Sequence, residues 1–68
     1  MSVARVTEIK VSSPTSFDAA IKEGIARANK TLKNVKGAWI QNQEVKIDAH
    51  GQISEYRVQM QVTFILED

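Results

Sequence analysis

At 68 residues with nine basic and eight acidic side chains, one histidine and no cysteine, the chain makes a single small domain spanning residues 1–68. A fold of this size hides only ~60% of the surface its unfolded chain exposes and leans on disulfides, a metal or oligomerisation for stability. Without cysteine the first is excluded, and the lone His50 builds no metal site. Oligomerisation remains. The near-neutral charge excludes the basic patch that phosphate-backbone binding requires, so nucleic acid is not an expected partner. No apolar run approaches the ~20 residues that span a bilayer, and MSVARVTEIK lacks the apolar centre of a signal peptide; a cytoplasmic protein without a membrane partner is expected.

Residues 3–11 (VARVTEIKV) predict a first strand, because four β-branched aliphatics fall within nine residues. Val3, Ile9 and Val11 share one register and Val6 takes the other. Ser12-Ser13-Pro14-Thr15-Ser16 then signals a helix start. Ser13 as N-cap would put Pro14 at the first helical position, while Thr15 with Asp18 offers a competing capping box.

Phe17, Ala20, Ile21, Gly24, Ile25, Ala28 and Leu32 recur at spacings of three and four, one apolar stripe on a helix of roughly four to five turns. Asp18, Lys22, Glu23, Arg27 and Lys30 take the other side. Gly24 costs about 1 kcal/mol of helix propensity, and close approach of the helix to a sheet is sufficient reason for it. Lys33 and Lys36 suit the end of the helix dipole, and Gly37 is placed to end the segment or its exit loop.

Ala38–Asp48 (AWIQNQEVKID) reads as a second strand whose apolar parity switches between Ile40 and Val45, which predicts a β-bulge near Asn42–Glu44. Ala49-His50-Gly51-Gln52 reads as a turn with Gly51 at positive φ. In the third strand, from about Ile53 to Leu66, Tyr56, Val58, Met60, Val62, Phe64 and Leu66 alternate with Glu55, Arg57, Gln59, Gln61, Thr63 and Ile65. Such alternation gives one dry face and one face of hydrogen-bonding side chains. The expected fold is α+β: a β-α-β-β chain whose three-stranded antiparallel sheet carries one helix across one face.

No nucleophile–base pair exists, the three glycines form no phosphate cradle, and Glu44, Asp48 and Glu55 near a turn read as solvated carboxylates. An enzyme is not expected. Trp39 is the informative residue. If Ile40 faces the helix, Trp39 faces the uncovered side, either as an interface anchor between subunits or as a stacking surface for a planar ligand flanked by Arg57 and Gln59. Both hold together if symmetry pairs two copies of that surface.

In order and spacing, the strand ending VSS, the helix SF-A-AI-GIARA-KTL, the segment NVKGAWI and the final EYRVQMQVTFIL resemble the bacterial dodecins over nearly the whole chain. The resemblance implies a flavin-binding, non-catalytic storage protein assembled as a hollow homo-dodecamer, with isoalloxazine rings stacked at a twofold axis between copies of Trp39. It places Arg57 at the flavin's pyrimidine edge, where some members carry glutamine. Arginine only donates, whereas the amide also accepts, so Gln59 stands second as a source of an acceptor. Glu44 falls where an acidic residue meets the ribityl chain, and Lys46 where some members place a phosphate-contacting arginine. FMN is then the expected flavin, with riboflavin or FAD as alternatives and coenzyme A as a further candidate ligand. The competing expectation is a self-assembly or protein-interaction module without flavin.

Overall fold

The structure, a computed structural model, describes residues 2–66. Its strands and helix follow the order β1 (Ala4–Ser13), α1 (Phe17–Thr31), β2 (Val35–Ile47) and β3 (Ile53–Ile65). Both neighbours of β3 run antiparallel to it, giving the sheet order β1-β3-β2. The alternation in β3 sets where the core forms. Val58, Met60 and Val62 point to one side and are buried under α1 with Ala20 and Ala28, while Ile9, Val11, Phe17, Ile21, Ile25 and Leu32 pack around them. Phe17 meets Tyr56 edge-on, the ring centroids 5.2 Å apart.

The helix starts later than Ser13 or Thr15. Its N-cap is Ser16, which is extended and whose hydroxyl accepts the Ala19 N–H at 3.0 Å. Ser13 is buried, and its Oγ accepts the Thr15 N–H at 3.0 Å. It thus holds the turn before the helix instead of capping it. The other end is also shorter than the lysine-rich tail suggested. The Leu32 N–H bonds to the Ala28 carbonyl at 2.9 Å, and the backbone turns at Asn34, which takes φ 62°. Asparagine tolerates this left-handed conformation, so Gly37 is not needed as a terminator and lies inside β2.

The expected bulge exists, one residue earlier than placed: the register slips between Ile40 and Asn42, leaving Gln41 as the extra residue. Ile40 opposite Met60, Gln43 opposite Val58 and Val45 opposite Tyr56 therefore face the helix side, while Trp39, Asn42, Glu44 and Lys46 face away from it. Further slips lie between Val35 and Gly37 and between Lys46 and Ile47. At the hairpin tip Gly51 has φ 76° as expected. Asp48 staples that turn, its Oδ1 accepting the N–H groups of His50 and Gln52 at 2.9 and 3.0 Å.

The helix rests on β1 and β3 and barely reaches β2, every residue of which from Lys36 to Ile47 is exposed. Because β1 pairing ends at Ser13 opposite Tyr56, the hairpin continues beyond it as a two-stranded arm. The chain measures 52 × 19 × 14 Å with a radius of gyration of 14.1 Å, against about 11 Å for a compact domain of its length. Ile47 and Ile53, 53% and 48% exposed, pair across that arm.

Gly24 is buried where the helix axis comes nearest the sheet. A Cβ there would fall 2.6 Å from Met60 Cε and 2.7 Å from Val11 Cγ2. The methionine end can move, but the branched valine has few rotamers to retreat to. Gly24→Val is expected to lower unfolding free energy by about 1–3 kcal/mol through overpacking, measured by denaturant unfolding at fixed protein concentration; an unchanged midpoint would mean the helix does not sit this close.

Candidate functional site

The face of the sheet opposite the helix is a lattice of side chains laid out in rungs. The first runs Glu8–Gln61–Trp39 across β1, β3 and β2; the second runs Lys10–Gln59–Asn42; the third runs Ser12–Arg57–Glu44; the fourth, beyond the end of β1, pairs Glu55 with Lys46. Adjacent rungs are two residues apart along a strand, about 7 Å. All five residues singled out in the sequence, Trp39, Glu44, Lys46, Arg57 and Gln59, lie on this one face.

Trp39 is 52% exposed, its indole covered by no element of its own chain's helix side. The residue directly across from it is Gln61, with Gln59 one rung and Arg57 two rungs further along. Gln61 is a tied side chain: its Nε2 donates to Glu8 Oε2 at 2.8 Å and to Gln41 Oε1 at 2.6 Å. Its carbonyl oxygen remains an acceptor. Asn42 Nδ2 reaches Gln59 Oε1 at 3.5 Å, a long contact. Sequence reasoning placed Gln61 on the polar parity but did not single it out, because its position opposite Trp39 follows from register across two strands and a bulge.

At the far rungs Glu55 Oε2 is shared between Arg57 Nη2 at 3.4 Å and Lys46 Nζ at 3.8 Å. These are exposed pairs, each contributing at most about 1 kcal/mol, and Arg57 can leave Glu55 for a ligand. Between the third strand's two neighbours lies an open groove of about 450 Å³, lined by Lys10, Ser12, Asn42, Glu44, Arg57 and Gln59. It begins one rung from Trp39, so a flat ring on the indole and a polar tail in the groove would be contiguous.

Candidate chemistry elsewhere is thin. Glu44, Asp48 and Glu55 do not act together: Asp48 is spent on the turn, and Glu55 on Lys46 and Arg57. Among the described residues no group of three His, Cys, Asp or Glu side chains is gathered to hold a metal ion, and no helix is long and apolar enough to cross a membrane.

The family model named Dodecin matches residues 3–67 of the chain. The chain belongs to the dodecin family. Among curated relatives, the calcium dodecin of Mycobacterium tuberculosis is 34% identical over 64 residues, which cover 94% of this dodecin and 89% of the relative. Among solved structures, the dodecin of Streptomyces davaonensis superposes with a TM-score of 0.92 at 36% identity, covering 98% of this chain and 97% of its own. A tryptophan-to-phenylalanine variant of the Thermus thermophilus dodecin gives a TM-score of 0.92 at 31% identity over 100% of both chains. The β-α-β-β architecture anticipated from alternation and helical spacing is thus the dodecin fold.

Proposed function

We propose that this dodecin binds and stores a flavin, FMN foremost, by stacking the isoalloxazine on Trp39, and that it does so without catalytic turnover. The observation that carries the reading is the half-exposed indole set among amides: Trp39 lies on the uncovered face, across from Gln61 and one rung from Gln59. A tricyclic ring on that indole gains offset stacking and apolar burial. Its pyrimidine edge presents both donors and acceptors, which amides match and arginine alone does not. Arg57, Glu44 and Lys46 then line the direction of the ribityl chain. An indole in van der Waals contact with an excited flavin transfers an electron to it rapidly and quenches emission, which fits storage. A ring enclosed on both sides leaves no approach for a second substrate.

Enclosure requires a second copy. An isologous contact across a twofold axis through this face would bring two Trp39 side chains face to face, and the exposed Ile40 and Val45 of β2 with Ile47 and Ile53 of the hairpin arm supply apolar surface for further contacts, as a closed homo-oligomer such as a dodecamer provides. That same surface favours the second reading, a self-assembling module with no flavin, which shares the assembly but not the ligand. Calcium, for which the Mycobacterium tuberculosis relative is named, finds no gathered set of three carboxylates among the described residues of one copy; titration with calcium and with a chelator separates it from flavin binding.

Titrating FMN with the apo-protein should quench flavin emission. Trp39→Ala should weaken binding by about tenfold or more, the scale on which removing one aromatic stacking partner acts. Trp39→Phe should retain part of the affinity while quenching less, because a phenyl ring is a poorer electron donor than indole. Unaltered binding in Trp39→Ala would remove this residue from the site. For the assembly, Ile47→Lys should shift the mass measured by light scattering toward smaller species, and a mass equal to the parent's would show that the arm makes no subunit contact.

A further inference from the structure

We propose that Lys10 and Ser12 on β1, with Arg57 on β3, form the seat for the phosphate of the bound flavin, and that Lys10 sets the preference for FMN over riboflavin. The inference rests on the flavin reading above and deepens it by routing the tail across the sheet toward β1.

Three observations point there. First, placement: Lys10 lies on the second rung and Ser12 on the third, with Arg57 opposite Ser12 and diagonal to Lys10. Strands are about 4.8 Å apart and rungs about 7 Å, so an ammonium, a hydroxyl and a guanidinium bound one small patch of the groove's β1 bank. Second, charge: Lys46, on the opposite edge strand β2, has Glu55 at 3.8 Å, whereas among the described residues no carboxylate lies within 4.0 Å of Lys10. The acid nearest in sequence on that face of β1, Glu8, is occupied by Gln61 at 2.8 Å. Third, repulsion: Glu44 lines the β2 bank of the same groove, and Glu55 lies on the next rung beyond it. A dianionic group is driven from those carboxylates, while the ribityl hydroxyls, which donate, suit Glu44. A ring on Trp39 therefore sends its chain diagonally over Gln59, hydroxyls toward β2 and phosphate toward β1.

Arg57 serves this seat because its guanidinium donates in a planar fork that matches phosphate oxygens. Its contact with Glu55 at 3.4 Å is exposed and worth at most about 1 kcal/mol, so Arg57 leaves it to reach the phosphate. Ser12 adds a hydroxyl donor.

The test is fluorescence-quenching titration of the assembled protein with FMN and with riboflavin, for the parent chain, Lys10→Gln, Lys10→Arg and, as a charge-matched control on the outer face of the helix, Lys22→Gln. The parent should prefer FMN, and that preference should fall as salt screens the contact. Lys10→Gln should lose about tenfold or more in FMN affinity, the scale of one hydrogen bond to a charged group, with riboflavin affinity unchanged. Lys10→Arg should restore the preference, and Lys22→Gln should leave it intact. Retained riboflavin binding certifies that the variant is folded and assembled. Equal affinity of the parent for both flavins, or a Lys10→Gln variant that keeps its FMN preference or loses both ligands alike, overturns the phosphate seat while leaving the flavin reading in place. A parent that binds neither flavin overturns both.

Discussion

One geometric mismatch governs this molecule: a single helix laid on a three-stranded sheet is too narrow for it. A helix with its side chains is about 10 Å across, and strands repeat at about 4.8 Å, so one helix shelters two strands. Here they are β1 and β3, and the shelter is tight because Gly24 lets the helix axis approach Met60 and Val11. β2 receives almost none of it and stays exposed from Lys36 onward. The core that results, centred on Val58, Met60 and Val62, is small for the length of strand it must hold in place. The remaining apolar surface, on the arm and on the indole, is left for something outside the chain.

How much of this was legible in the sequence differs by element. The period of two in β3 and the three-four spacing of α1 are direct imprints of burial, so the strand, the helix and their order could be read without a structure. The turn at Gly51 was equally plain, since positive φ there has few other solutions. Caps were harder. Ser13, Thr15 and Ser16 carry the same hydroxyl chemistry, and what selects Ser16 is where the β1 pairing ends and lets the chain turn, a tertiary fact. Gly37 misled for a related reason: Asn34 adopts the left-handed conformation three residues earlier, and a glycine then has no turn to make.

For the candidate site, residue type identified Trp39, and alternation identified Arg57 and Gln59 as its companions on the wet face. Register did the rest. Only pairing across the sheet shows that Gln61 stands opposite the indole, that Lys46 stands opposite Glu55, and that Lys10 and Ser12 of a strand far away in sequence share a groove with Arg57. A single chain's sequence holds no direct record of which residues face one another across strands.

The extra residue at Gln41 has a bearing on how such chains should be compared. It acts as a phase shifter: from Gly37 to Trp39 odd-numbered positions look outward, and from Asn42 to Lys46 even-numbered ones do. Loss of that one residue would invert the strand on one side of it as far as the next slip, turning either the indole or the Glu44 carboxylate to the helix side of the sheet. An aromatic side chain that must keep its outward aim is therefore tied to the slip and not to a fixed column of letters, and in chains where the slip has moved, its counterpart is to be sought by strand pairing.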